Sequence, residues 1–401
     1  KTKYYPEDPN FSKIIIEAVE FVSNDYSTWP SQVHRKIVLP EEDLNNKQTA
    51  KSVISRFLGK AWRRPIDSET AEKWFQHFKR IRTLENSSAY ALRETLATSL
   101  ASTNFLYLSE PEPNESKSAV LTSHELATRL SYFIWSSMPD DELRALADQN
   151  RLSDSKVLTI QIKRMLRDPK SNRFAEEFSR QWLDVGGVDR VAVNPRYHQN
   201  FDNRLKPYMQ AESLEFFKEI FRNDLPITKI IDADFTMLNA RLAKHYGLEG
   251  PKSQHFERTS LKGTNRTGGI LGHASIHLSG SDGAESHPIR RAVWVRERLL
   301  HDPPKPPPPD VPGIEESVAD FEKLSLREQL EFHRKKESCN DCHRTLDPWG
   351  IALEEYSAVG LKREKTTVHK KPITSNTILP GNHLVDGKVN VIVSDGFTGN
   401  V

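Results

Sequence analysis

The chain has 401 residues, 36% of them hydrophobic and 28% charged, with a formal net charge of +2 and a mean hydropathy of −0.63. That length suits roughly two to four domains. The near-neutral balance argues against a dedicated nucleic-acid binder, gives no membrane-surface signal, and no run approaches the roughly eighteen apolar residues of a membrane span.

Residues 14–39, with IIIEAVEFV and VHRKIVL, alternate apolar and polar over short runs and predict strands around a turn-like SNDYSTWPS. Two or three strands cannot bury a sheet alone, so residues 1–45 read as the tail of an upstream β-domain or a linker. From Asn46 the period becomes helical. Residues 50–61 are amphipathic, and Pro65 stops the helix. Asp67 then caps the next helix, with Ser68 and Glu69 in its first turn. A third helix spans 88–104, and the breaker-rich FLYLSEPEPNES closes a small helical domain over 46–115.

A second helical domain is expected over 116–250. Its strongest helix is 123–136, with Ser123 as N-cap but no capping box completed after it. Leu126, Leu130, Phe133 and Ile134 form its apolar face. Asp140 and Asp141 start the next helix, and others follow over 155–167, 173–183 and 204–222. FTMLNARLAKHY, 235–246, reads as a short helix closed by Gly247. Glycine and serine then cluster over 264–282, which makes a helix there doubtful. A basic helix over 289–300, carrying Arg290, Arg291, Arg296 and Arg298, reads as a solvated or docking face. Six prolines between Pro303 and Pro309 predict an extended polyproline II spacer, and a helix over 325–336 leads to the last motif.

That motif is Cys339-Asn340-Asp341-Cys342-His343, the C-x-x-C-H pattern of c-type haem attachment, and it holds the only two cysteines of the chain. Two thiols at this spacing reach the two vinyl groups of one porphyrin, and the following imidazole ligates the iron. A redox pair would call for a surrounding thioredoxin-like βαβ pattern, and a zinc site for a second pair of ligands; neither is evident. Pro348, with Asp347 and Gly350, predicts a turn that ends the haem helix and sets Ile351 and Leu353 against the porphyrin, with Trp349 either stacked near its edge or simply packed. Arg344 and Arg363 are candidates for the propionates.

The ordered words GKAWRRPIDSET, ELATRLSYFIWSSMPDDEL, FTMLNARLAKHYGL, HPIRRAVWVRERLL–PPKPPPPDVP and SCNDCHRTLDPWGIALEEYSAVG resemble the planctomycete-type cytochrome-associated proteins. Those are large, secreted and multi-domain, built largely of domains of unknown function. The resemblance covers residues 14–364 and implies a mainly α fold, a C-terminal helical cytochrome c-like domain over 262–366, and export. It implies no known reaction. Where the family often has Thr-Ser-Pro, this chain has Ser286-His287-Pro288. Residues 367–401 read as the start of a further domain; both ends look cut, as in a fragment of a longer periplasmic or cell-surface protein.

The second axial ligand decides what such a haem does. No methionine follows Met237. Downstream, His369 and His383 lie in polar, loop-like text; upstream stand Met138, His277 and, foremost, Met209, Met237, His245, His273 and His287, and a ligand from upstream would tie the two halves of the chain together through the iron. Met209 and Met237 read equally as core residues, and His245 as a partner of its helix dipole. His273 and His277 lie four apart and would share one face of a helix. Three functions compete. The first is electron transfer to a redox partner or a fused catalytic domain. The second is a haem peroxidase or oxidase acting on an extracellular substrate such as a sugar. In the third, haem only stabilises an interaction domain.

Overall fold

A computed structural model describes residues 32–39, 41–108, 120–305, 337–363, 366–368 and 371–373. The fold is mainly α, as expected, and the described strands are short and pair two by two. The chain divides into two units, one of residues up to 129 with 139–154, the other of 130–138 and the residues from 155 onward.

The first unit holds α1 (Gln32–Ile37), α2 (Lys47–Ala61), α3 (Ser68–Glu85), α4 (Ser88–Leu100), α5 (Thr103–Leu106), the start of α6 (Ser123–Trp135) and α7 (Asp141–Asp148). Side-chain caps start these helices: Asn46 accepts from the Gln48 and Thr49 amides, Asp67 from Thr70 and Asp140 from Leu143. Val53, Ile54 and Leu58 of α2, Phe75 and Phe78 of α3, and Leu92 and Leu96 of α4 form the core. Residues 32–37 are helical and not a strand. Ile37 and Val38 pack against the α2–α4 core, and a single helical turn satisfies its own backbone where no described strand offers a ladder. The expected strand over 14–31 lies outside the described residues. The start of α6 also differs from expectation. Thr122, one residue earlier, is the cap: its amide donates to Glu125 at 2.7 Å and the Glu125 amide returns to the Thr122 hydroxyl at 3.3 Å, which closes a capping box.

The second unit is built on α8 (Ser155–Arg167), α9 (Asn172–Leu183), α10 (Gly187–Arg190) and α11 (Lys206–Arg222). Phe178 stacks on Phe174 and tilts against Phe217 with centroids 5.4–5.5 Å apart, and Phe216, Ile220 and Phe235 continue that core inward. The segment 235–246 splits into β1 (Phe235–Leu238) and α12 (Ala240–Tyr246), where a single helix was expected. Every residue of β1 is buried, and the strand pairs antiparallel with β2 (Glu257–Ser260), Phe235 opposite Ser260. A short apolar run does not by itself distinguish strand from helix; the β2 ladder decides it here. Asn239 then caps α12, and left-handed Gly247 (φ 68°) ends it.

Three helices complete the unit: α13 (Ala274–Ser279), α14 (Pro288–Arg298) and α15 (Glu337–Ile351). α13 forms inside the glycine- and serine-rich stretch because its residues 274–278 are all buried. α14 and α15 run antiparallel, with Gly350 against the Pro288 carbonyl at one end and Arg296 beside Thr345 at the other. A Cβ on Gly350 would lie 2.1 Å from the Pro288 carbonyl oxygen, so only glycine permits this approach. The predicted turn at 347–350 is absent: α15 continues through Pro348. Proline there forfeits one helical hydrogen bond, but Leu346, Ala352 and Leu353 are buried beside it, and this burial holds the turn. Strands β3 (Thr366–Val368) and β4 (Lys371–Ile373) form a separate hairpin. The expected helix over 325–336 and the prolines from 306 lie outside the described residues.

Candidate functional site

On α15 the backbone places positions 339, 342 and 343 on one side of the helix, since residues three and four apart are neighbours. The side chains of Cys339 and Cys342 lie outside the described residues, and so does the expectation that both sulfurs face one cavity. His343 is described. Its Nδ1 lies 2.8 Å from Oδ1 of Asp347, one turn along the helix, and this bond orients the ring. The His343 and Asp347 side chains are 14% and 1% exposed. Pro348 is exposed, while Trp349 and Leu353 pack with Leu271 and Val295 on the α14 side.

The basic helix α14 is not a solvated face. Arg291 is fully buried and grips the chain after α15: Nη1 donates to the carbonyls of Leu353 (2.8 Å) and Tyr356 (2.9 Å), and Nη2 to that of Ser357 (2.9 Å). Nη1 also pairs with Glu354 at 3.2 Å. Burial holds the Arg291 guanidinium down at about 10, against the pull of Glu354. Arg290 donates to the Ser281 carbonyl and Arg296 pairs with Asp302. The propionate candidate Arg363 instead lies 3.7 Å from Glu354 and donates to Ser286 at 3.2 Å; Arg344 is exposed.

Beside this clamp lies a buried polar chain that sequence reasoning missed. Glu212 of α11, fully buried, accepts from Thr236 at 2.8 Å and from Tyr246 at 2.5 Å. Thr236 also meets Nε2 of His273 at 3.4 Å, whose Nδ1 lies 3.0 Å from the Ser213 hydroxyl. Arg266 stacks 3.5 Å above the Tyr246 ring and donates to the Gly360 carbonyl at 2.9 Å. Gly360 has φ +75° and no room for a Cβ against Ala274. Burial raises Glu212 to about 7, although Arg266 and the two hydroxyls favour its charged form, and the same burial lowers His273 to about 3. One signal for Glu212 was present in the sequence. It stands three residues after Met209 and four before Phe216, on the inward side of α11.

The five distal candidates are scattered through the unit. Met209 packs among Leu205, Leu238 and Leu242, and Met237 sits in β1 within the main core. His273 has both ring nitrogens in hydrogen bonds, as above. His245 ends α12 and its Nε2 lies 2.9 Å from the Val359 carbonyl, which joins it to the segment after α15. His287 caps α14, its Nδ1 accepting from the Arg290 amide at 3.3 Å. His277 stacks on Tyr356 with centroids 4.3 Å apart and its Nε2 bonds the Leu271 carbonyl. Among the described residues no group of three or more His, Cys, Asp or Glu is arranged to hold a metal ion.

Three family models match successive stretches. Residues 49–110 match PSD5, a protein of unknown function (DUF1595); 121–248 match PSD4 (DUF1592); and 267–366 match PSCyt3 (DUF1588), both also of unknown function. The chain carries planctomycete-type domains of unknown function. The PSCyt3 stretch, whose name is that of a cytochrome-like domain, contains α13, α14, α15 and the C-x-x-C-H motif. No curated protein and no solved structure matches the chain. No described helix is long and apolar enough to cross a membrane.

Proposed function

We propose that this chain is the c-type haem-binding part of an exported multi-domain protein and that it transfers electrons. The observation that carries the reading is His343: it follows the only two cysteines of the chain, and its Nδ1 is held by Asp347, the kind of outer contact that orients an iron-ligating imidazole. The donor set fits haem c, two cysteines and a histidine at positions on one side of one helix. Bound there, haem supplies a one-electron couple. The protein's own part is to hold the ligand: α15 is pinned to α14 at Gly350, and Arg291 ties down the chain that follows. The sixth ligand comes from the upstream helices, among Met209, Met237, His245, His273 and His287, and the electron partner is a separate protein or a fused catalytic domain. The planctomycete type of all three domains and the extracytoplasmic chemistry of thioether attachment support a periplasmic or cell-surface home.

The test is an optical spectrum of protein matured with haem-attachment machinery, oxidised and reduced, with and without carbon monoxide. The expected result is covalent low-spin haem unmoved by carbon monoxide. A high-spin iron that binds carbon monoxide would transfer the reading to a peroxidase or oxidase, and absence of covalent haem would end it.

A further inference from the structure

We infer that Asp347 is a positioning residue that lowers the reduction potential of the iron bound by His343; this inference rests on the haem reading above. The bond is 2.8 Å long and joins residues one helical turn apart. Exposed pairs at this spacing are common and contribute a few tenths of a kcal/mol to a helix. This one differs in burial: the Asp347 side chain is 1% exposed and its partner 14%. A carboxylate kept out of water is costly unless it is hydrogen-bonded, and its influence on a neighbouring group grows as the dielectric falls.

The placement is rigid as well. Positions 339, 343 and 347 stand at successive turns of α15 and so line one side of it: a cysteine, the imidazole and the carboxylate. Three residues beyond Asp347, Gly350 meets the Pro288 carbonyl, which prevents that end of the helix from shifting along α14. The carboxylate is therefore fixed against Nδ1 and cannot swing to solvent.

The chemistry follows from what an acceptor on Nδ1 does to the nitrogen across the ring. A carboxylate draws the Nδ1 proton toward itself and lends negative charge to the imidazole, making Nε2 a stronger donor. A stronger, more negative ligand favours the ferric over the ferrous ion, which has one charge less. The couple moves to lower potential, and the partner that reduces it must be a correspondingly strong donor.

The experiment is Asp347→Asn in the full chain, matured with haem, compared with the unaltered holoprotein. Asparagine keeps the shape and removes the charge. The ferric-to-ferrous ratio at a given potential is expected to fall by about tenfold, the low end of what losing an outer-shell partner does to metal affinity, with the loss falling on the ferric state. At about 59 mV per tenfold for a one-electron couple, the midpoint rises accordingly. The g-value spread of the low-spin ferric haem, read by electron paramagnetic resonance, is expected to widen as the imidazole loses negative charge. A purely structural Asp347 would lower the melting temperature and leave both readouts unmoved, which overturns the inference while the haem reading stands. If the variant does not mature, the unaltered holoprotein decides: a ferric g-value spread as wide as that of neutral imidazole overturns the inference, and the narrower spread of a carboxylate-bonded imidazole supports it. Absence of covalent haem from the unaltered protein overturns both.

Discussion

Arg291→Met removes the one cation that α14 sends into the interior. The guanidinium gives hydrogen bonds of 2.8–2.9 Å to the carbonyls of Leu353, Tyr356 and Ser357 and an ion pair of 3.2 Å to Glu354. Methionine fills similar volume and replaces none of them. Glu354, 2% exposed, would be left with Arg363 at 3.7 Å and the Ser286 hydroxyl at 2.5 Å. Breaking a buried pair from one side costs about 3–5 kcal/mol. The orphaned carbonyls place the expected loss at the upper end of that range. For a unit of this size that is a fall in melting temperature of roughly 6–20 °C. Urea unfolding followed by tryptophan fluorescence, with calorimetry beside it, measures the loss. Adding Glu354→Leu should recover part of it, because the buried carboxylate that lost its closer cation is gone, but not all, because the carbonyls still lack donors. A single-variant loss below about 1 kcal/mol, or a double variant no better than the single, would refute the reasoning.

The buried polar chain makes a pH prediction of two opposite signs. Glu212, raised from its ordinary 4.5 to about 7, binds its proton more tightly folded than unfolded, so it withdraws stability as pH rises between those values. Relative to the unaltered protein, Glu212→Gln should gain up to about 3 kcal/mol across that window. His273, lowered from 6.5 to about 3, withdraws stability as pH falls through that range. His273→Gln should blunt the acid loss by up to about 5 kcal/mol, with His277, shifted in the same direction, still contributing. Urea midpoints over a pH series check both, and curves parallel to the unaltered protein would sink the assignment. Gly350→Ala forces a methyl to 2.1 Å from the Pro288 carbonyl and should cost about 1–3 kcal/mol by prying α14 from α15. A chemical melt unchanged by that substitution would show the approach to be unimportant.

Much of the first unit could be read from local chemistry. Asp67 and Asp140 cap the helices their sequence announces, and α2 ends ahead of Pro65. These signals are legible because a cap or a proline acts on the backbone within four residues of itself. The same locality explains the C-x-x-C-H motif, whose partners sit within one helical turn.

What the tertiary structure decided lies beyond that reach. Arg291 looks like its neighbours Arg290 and Arg298 in any window of sequence; only the return of the chain at 353–357, more than sixty residues on, makes it a buried clamp. Residues 235–238 became a strand because 257–260 lies alongside, and 274–279 became a helix in spite of its serines because its surface is covered. Glu212, Tyr246 and His273 meet only when α11, β1, α12 and α13 are packed together. By itself the sequence determined what hydrogen bonds across one turn can enforce: helix ends, the C-x-x-C-H spacing and the His343–Asp347 spacing. Burial is a property of distant segments closing on one another, so which charges left the water, and what that did to their protons, was settled only by the fold.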